Sequence, residues 1–390
     1  MSEAVIVSAV RTAIGKKKGA LAQTRADELL AHVLRECVAR TGVPASEIED
    51  VITGCVTQIG EQGYNISRNG ALMAGFPVEV TGTSVNRQCG SSQQAFNFAA
   101  MAVMSGQHDA VIAAGVESMT RVPMGSDGTT APPVHPFFPP SPMLTEKYQI
   151  VPQHSSAEMV AAKWGLSRRQ CEEFSLRSHQ LAAKARESGR FRDEILGLEV
   201  KGPDGSSFRF DQDEGIRPDS TLEKMATLQP VVKADGVVTA ATSSQISDGA
   251  AAILVMSREK AQRLGLKPRA KVVVTAVAGV DPTMMLHGPI PATQKALAKA
   301  GLKPSDIGLV EINEAFASVP LAWSKELGWK LDNVNVNGGA IALGHPLGCS
   351  GVRLLTTLLH ELEKRDLRYG LSTMCIGFGQ ATATILDRRV

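Results

Sequence analysis

Hydrophobic and polar positions along the chain fall into alternating helical and strand-like stretches, and the same order of stretches occurs twice. Ala26 to Arg40 repeats its apolar residues at helical spacing. It leads into Thr41-Gly42-Val43-Pro44-Ala45-Ser46-Glu47-Ile48-Glu49-Asp50-Val51. Near position 300 the helical pattern Thr293 to Lys299 leads into Ala300-Gly301-Leu302-Lys303-Pro304-Ser305-Asp306-Ile307-Gly308-Leu309-Val310. In both, Gly ends a helix, Pro and Ser offer a new start, and an apolar run follows as a strand. A duplicated α/β unit accounts for the echo.

Each half then offers a small-residue turn, a helix and a buried strand. The first has Gln88 to Ser92, a helix to Ser105 with Gly106 as its stop, and Asp109 to Gly115. The second has Gly344 to Gly351, a helix Val352 to Lys364, and Tyr369 to Cys375. Gln94 to Met104 is apolar nearly all round (Ala95, Phe96, Phe98, Ala99, Met101, Val103), which predicts a buried central helix. Strands alternating with helices predict an α/β protein, with sheets layered by helices. Residues 120–245 break the echo. Pro132-Pro133, the Pro-rich run Pro136 to Pro142, helical Ser155 to Gly189 and acidic-polar Asp204 to Asp219 read as an insertion on the first half, of the loop-rich kind that carries substrate contacts. The expected division is 1–119 with 246–268 as the N-terminal half, 120–245 as the insert, and 269–390 as the C-terminal half.

Composition narrows the function. Lys+Arg 41 against Asp+Glu 39 leaves a net charge of +2, which argues against a polyanion binder, and 4% aromatics argue against a stacking platform for nucleic acid. With 43% hydrophobic residues in 390, more than one core can be filled. Met1 to Val10 lacks a basic stretch before a long apolar one, no apolar run approaches the roughly 20 residues of a membrane helix, and Asp387-Arg388-Arg389-Val390 is not a Ser-Lys-Leu address. A cytoplasmic protein without a membrane partner is expected. Six cysteines, at 37, 55, 89, 171, 349 and 375, form no Cys-x-x-Cys pair, so neither structural zinc nor a disulfide framework is expected. Reactive thiols stay open.

Four motifs carry candidate chemistry. Arg87-Gln88-Cys89-Gly90-Ser91-Ser92 places Cys89 between the strand Thr83 to Asn86 and the buried helix, where the helix N-terminus is expected to lower the thiol pKa and Ser91 or Ser92 to cap the helix. A buried structural cysteine fits the same residues. In Asn335-Val336-Asn337-Gly338-Gly339-Ala340-Ile341-Ala342-Leu343-Gly344-His345-Pro346-Leu347-Gly348-Cys349-Ser350-Gly351, five glycines hold His345 in a tight loop, from which it can deprotonate a thiol or donate to an oxyanion. An ordinary loop histidine is the alternative. Ser372-Thr373-Met374-Cys375-Ile376-Gly377-Phe378-Gly379-Gln380-Ala381 ends a strand with a thiol and frees backbone N–H groups for a ligand. It fails as a dinucleotide fingerprint at Thr382, and a plain buried cysteine again fits. In Glu311-Ile312-Asn313-Glu314-Ala315-Phe316-Ala317, Asn313 can orient a water or carbonyl and Glu314 a neighbouring histidine, although a helix cap explains both.

At these motifs the chain resembles the thiolase family, the acetyl-CoA acetyltransferases and 3-ketoacyl-CoA thiolases, over essentially all 390 residues, including Ile6 to Thr12 and Ser244 to Ala250. The resemblance implies a duplicated thiolase-type fold, two five-stranded mixed-sheet halves in α/β/α/β/α layers plus an inserted loop domain. It implies that Cys89 is the acylated nucleophile, His345 its base, Cys375 the second acid/base, and Asn313 the holder of a water that helps His345 stabilise an enolate. The N–H groups of Cys89 and Gly377 would form an oxyanion hole for the tetrahedral intermediate. Ser244 and Phe316 match pantetheine-lining positions, Arg217 a basic position near the nucleotide, and Ala240 would be a further coenzyme A contact. No tightly bound cofactor or metal is implied; coenzyme A and acyl-CoA are substrates, and the assembly is a homodimer or homotetramer, with Thr130 to Pro142 as a candidate contact.

One segment departs from that pattern. Where biosynthetic members place His-Met before Gly-x-x-Ala-Glu, this chain has Pro152-Gln153-His154-Ser155-Ser156-Ala157-Glu158, which looks more like the degradative or broad-range branch. The resemblance implies 3-oxoacyl-CoA + CoA = acyl-CoA + acetyl-CoA by a ping-pong route. A decarboxylating ketoacyl-synthase-like enzyme and a non-catalytic acyl-CoA carrier are the alternatives.

Overall fold

A computed structural model describes residues 2–128, 141–202 and 205–390. Its strands are β1 (Ala4–Thr12), β2 (Asp50–Gly54), β3 (Thr81–Val85), β4 (Ala110–Ser118), β5 (Ser247–Ser257), β6 (Ala270–Gly279), β7 (Ile307–Ile312), β8 (Tyr369–Ile376) and β9 (Gln380–Asp387). They lie side by side in the order β7-β8-β9-β6-β1-β5-β4-β2-β3. Strand β2 runs parallel to both β3 and β4, β4 antiparallel to β5, and β5 antiparallel to β1. The second half repeats this: β7 is parallel to β8, β8 antiparallel to β9, and β9 antiparallel to β6. The counterpart of β3 is reduced to one bridge, Val310 with Val334. A short antiparallel contact, Val5 with Lys271 and Ile6 with Ala270, joins the halves.

The helices are α1 (Ala26–Ala39), α2 (Ser91–Ser105), α3 (Gln153–Lys163), α4 (Arg168–Glu187), α5 (Pro289–Ala300), α6 (Ser318–Leu327) and α7 (Ser350–Lys364). Alternation along each strand explains the layers. On β4, Val111 and Ala113 meet Phe96 and Val103 of α2 and Leu355 and Leu359 of α7 in one buried cluster. Ala110, Ile112 and Ala114 face the other way, onto Leu29, Leu30 and Leu34 of α1. In the second half, Ala383 and Ile385 of β9 pack with Ile290 and Leu297 of α5 and Trp323 of α6. Thus α2 and α7 form the middle layer, with their N-termini directed to one place.

Two expectations need correcting. Helix α2 is not buried all round, since Phe98 and Met101 are 41% and 48% exposed. An apolar pattern marks a face that avoids water without saying whether this chain or another covers it. The stretch Ser155 to Gly189 is not one helix: Gly165, at φ +57, ends α3, and Ser167 opens α4 with a capping box to Gln170. The Pro-rich stretch proposed as a contact lies, over 130–140, outside the described residues.

The insert is clamped to β1 from beneath. Arg11, fully buried, binds Asp213 through both terminal nitrogens (2.7 and 2.9 Å) and Glu194 through Nε (2.7 Å). Asp213 also accepts the Ile14 N–H.

Candidate active site

Cys89 sits in a tight turn between β3 and α2. Asn86 Oδ1 accepts the Gln88 N–H, Gln88 takes a positive φ of 45°, and Ser91 Oγ donates to the Gln88 carbonyl while accepting the Arg87 N–H. Ser91 therefore closes the turn rather than capping the helix, whose N-cap is Gly90 without a side-chain cap. Ser92 is not a cap either: its Oγ accepts the Val352 N–H and ties α2 to the start of α7. A side chain at position 90 would meet Ile376 Cδ1 at 2.2 Å, so only glycine lets β8 close over the turn.

Cys89 is 4% exposed and packed among Met119, Leu347, Leu354, Met374 and Ile376. The Gly377 N–H, the Gln153 side chain and its own N–H favour the thiolate, yet burial outweighs them and pushes the thiol up to about 11. The expected lowering is thus absent in the free site. Cys89 stands outside the first turn of α2, and desolvation of the anion dominates the dipole. Cys375, at the end of β8, is also buried and raised above the usual thiol range, by burial first and then by the nearby Cys89 charge. The two thiols therefore lie near enough for one to feel the other's charge.

His345 is held from three sides. Its N–H donates to the Gln245 carbonyl at 3.1 Å, and Gly344 before it adopts φ +110, where a Cβ would lie 2.2 Å from Ser247 Oγ. Its Nδ1 is 2.5 Å from Ser350 Oγ, and Nε2 is 3.3 Å from Asn313 Nδ2. The Ser350 hydroxyl donates to the Pro346 carbonyl, so its oxygen receives Nδ1–H and leaves Nε2 as the basic nitrogen. Burial, assisted by Arg353, lowers the imidazole to about 3.

Asn313 follows β7, with its N–H on the Thr373 carbonyl. Its buried Oδ1 has no hydrogen-bond partner among the described residues. Asn313 thus meets His345 and does not cap a helix. Glu314 does not orient that histidine: it accepts from Ser178, Asn335 and the Ile341 N–H, holding the loop that precedes it.

Arg217 and Ala240 line a cleft of about 210 Å³ with His179, Lys224 and Gln245. Ser244 and Phe316 stand beside it. The Ser244 N–H donates to Ala315, and Ser243 bridges Phe316. Gln245 connects cleft and centre, since its carbonyl holds His345 while its amide donates to Gly215, Ile341 and Ala342. Among the described residues no group of three or more His, Cys, Asp or Glu is placed to hold a metal.

Sequence reasoning missed Ser350, Gln153 as a neighbour of the thiol, and Glu117. The buried Glu117 carboxylate accepts N–H groups from Val56, Thr57 and Gly348, fixing the loop after His345. Only Gln153 left a signal, the departure at 152–158.

The family model for the thiolase N-terminal domain matches residues 4–259, and that for the thiolase C-terminal domain matches 266–388. A 3-ketoacyl-CoA thiolase of Vibrio parahaemolyticus is 48% identical over 98% of this chain and 98% of its own length. One from Aeromonas hydrophila is 48% identical over 100% of both. The crystal structure of human mitochondrial 3-ketoacyl-CoA thiolase superposes with a TM-score of 0.92 at 33% identity, covering 100% of this chain and 99% of that one. The crystal structure of Bacillus anthracis acetyl-CoA acetyltransferase gives 0.91 at 39% identity, covering 99% of each. Fold and relatives together make this an acyltransferase enzyme. The chain belongs to the thiolase family, and its reaction is thiolase acyl transfer.

Proposed function

We propose that the chain catalyses 3-oxoacyl-CoA + CoA = acyl-CoA + acetyl-CoA through an acyl thioester on Cys89. What supports this reading is that Cys89 lies near the Gly377 N–H and within reach of the charge on Cys375, while buried His345 pairs with Asn313. His345 Nε2 takes the Cys89 proton as the sulfur attacks the 3-oxo carbon, and the Cys89 and Gly377 N–H groups receive the developing oxyanion. Collapse breaks the carbon–carbon bond and expels the enolate of acetyl-CoA. Its oxygen is met by His345 Nε2–H and by a water held on Asn313, and its carbon takes the Cys375 proton. The thiol of free CoA then attacks the thioester, giving up its proton to the thiolate of Cys375, and Cys89 leaves as it takes back the proton held on His345 Nε2.

Arg217 and Lys224 supply positive charge for the nucleotide phosphates, with Ala240, Ser244 and Phe316 along the pantetheine. No tightly bound cofactor is needed. The 3-ketoacyl-CoA relatives and the 152–158 segment support a degradative, broad-range role in fatty-acid oxidation. Among the described residues no helix is long and apolar enough to cross a membrane, which fits a cytoplasmic enzyme. A homodimer across the edge strand β3 is supported by exposed Tyr64, Val78, Phe98 and Met101, and two such dimers can pair as a tetramer. A solution mass of 41.3 kDa would refute both.

The test is thiolysis of acetoacetyl-CoA and of a longer 3-oxoacyl-CoA by wild type and Cys89→Ala. Equal rates for the two proteins would end the reading. Intact mass after acetyl-CoA should show a gain of about 42 Da on Cys89, which a carrier would not acquire.

A further inference from the structure

Gln153 is the first residue of α3, after Pro152 at the N-cap. It belongs to the insert, whereas every other group on the thiol comes from the two halves. Its Nε2 lies 3.2 Å from the point where a Cβ on Gly377 would stand, beside the backbone of the expected oxyanion hole. The same side chain, together with the N–H groups of Gly377 and Cys89, stands near enough to the Cys89 sulfur to favour its anion. Two of these donors are fixed by the backbone, and the third arrives on a side chain 64 residues further along. It stands where the resemblance places a methionine in biosynthetic relatives, a side chain with no N–H to give.

We propose that Gln153 is a catalytic residue, its Nε2–H serving as a third donor to the negative charge that forms on Cys89 and on the thioester oxygen. This rests on the reading of Cys89 as the acyl carrier. A neutral amide suits the task. It stabilises the anion in a low-dielectric site without forming a permanent ion pair that would resist its discharge. It also gives the insert a chemical role beyond binding: α3 completes the donor set only when it is seated against the β8–β9 turn.

The test uses Gln153→Met, which keeps the length and removes the donors, and Gln153→Glu, which keeps shape and polarity but is a pure acceptor when ionised. Single-turnover acylation by a 3-oxoacyl-CoA should slow about 10- to 100-fold in both, at or below the low end of the 10²–10³ typical of losing one oxyanion donor, because two backbone donors remain. The pH midpoint for iodoacetamide alkylation of Cys89 should move upward in Gln153→Met, while KM for CoA in the second half-reaction stays unchanged. A structural role would not move the alkylation midpoint. Acylation within twofold of wild type in Gln153→Met with an unshifted midpoint would overturn the proposal, as would a raised KM with unchanged acylation. Cys89→Ala runs in parallel: turnover there sinks the thioester reading itself, whereas an inert Cys89→Ala beside a fully active Gln153→Met sinks only the role of Gln153.

Discussion

The Ser350 oxygen lies 2.5 Å from His345 Nδ1, while its hydroxyl proton is committed to the Pro346 carbonyl at 2.8 Å. One serine thus sets the tautomer of the proposed base and leaves Nε2 unprotonated, beside the Asn313 amide. Ser350→Ala should preserve the fold and lower kcat by about 10-fold or more, a part of the 10²–10⁴ attributed to general-base catalysis. Nitrogen NMR of labelled histidine should show a mixed tautomer in the variant. An unchanged kcat would show that the loop alone fixes the ring.

The pH dependence of acylation follows from two opposite shifts. His345 at about 3 is neutral above that value, and Cys89 at about 11 is protonated below it. The reactive pair, neutral imidazole with neutral thiol, is therefore fully populated between them. Single-turnover acylation should be flat from pH 5 to 9, with no titration near 6.5 from the histidine. A rise in rate through pH 6 to 7 would mean the imidazole keeps its ordinary affinity for protons in the working enzyme.

In the proposed route Cys375 serves both half-reactions, but only the carbon–carbon step asks it to protonate carbon. Acetyl transfer from acetyl-CoA to Cys89 needs no carbon acid, whereas thiolysis needs the enolate carbon protonated. Cys375→Ala should still gain about 42 Da from acetyl-CoA. Its thiolysis rate should fall by about 10²-fold or more. Loss of both together would show that thioester exchange depends on Cys375 as strictly as the carbon–carbon step does.

How far these features were legible depends on whether they are local. Gly42-Val43-Pro44 and Gly301 to Pro304 showed the duplication because a helix stop and a new start are written in adjacent residues. The glycines around His345 and Cys375 showed where backbone approaches closely, as the contacts met by a Cβ at 344 and 377 bear out. The Cys89 pKa was misread because a helix start is visible in sequence and the desolvating shell of Met119, Leu347 and Met374 is not. Phe98 and Met101 misled for the same reason, since apolarity does not name what covers it. Gln153 meets Cys89 only through tertiary structure, so its motif stood out as an oddity without a purpose.

Gly377 tests the donor geometry without touching a side chain. A Cβ there would fall 1.9 Å from Gln88 Oε1, the far end of a flexible side chain, so Gly377→Ala can be accommodated by moving that amide. The stability cost should be small, about 1 kcal/mol, while the thiolysis rate falls by 10²-fold or more because the shifted amides crowd the oxyanion position. Chemical denaturation beside thiolysis kinetics separates the two, and parallel losses would reduce Gly377 to a packing residue.

Arg11 decides whether the insert is held by charge or by packing. Fully buried and bound to both Asp213 and Glu194, it is the ionic tie between β1 and the segment that presents Arg217 to the cleft. Removing it strands two carboxylates in a low-dielectric interior, where burial already raises Glu194 against the pull of Arg11. Arg11→Ala should therefore cost about 3–5 kcal/mol, read as a lowered denaturation midpoint. Asp213→Asn, which keeps the shape and one carboxylate partner, should cost less and raise KM for CoA as the segment around Arg217 loosens. If Arg11→Ala unfolds like wild type, the insert is held by its apolar contacts and the charge cluster is incidental.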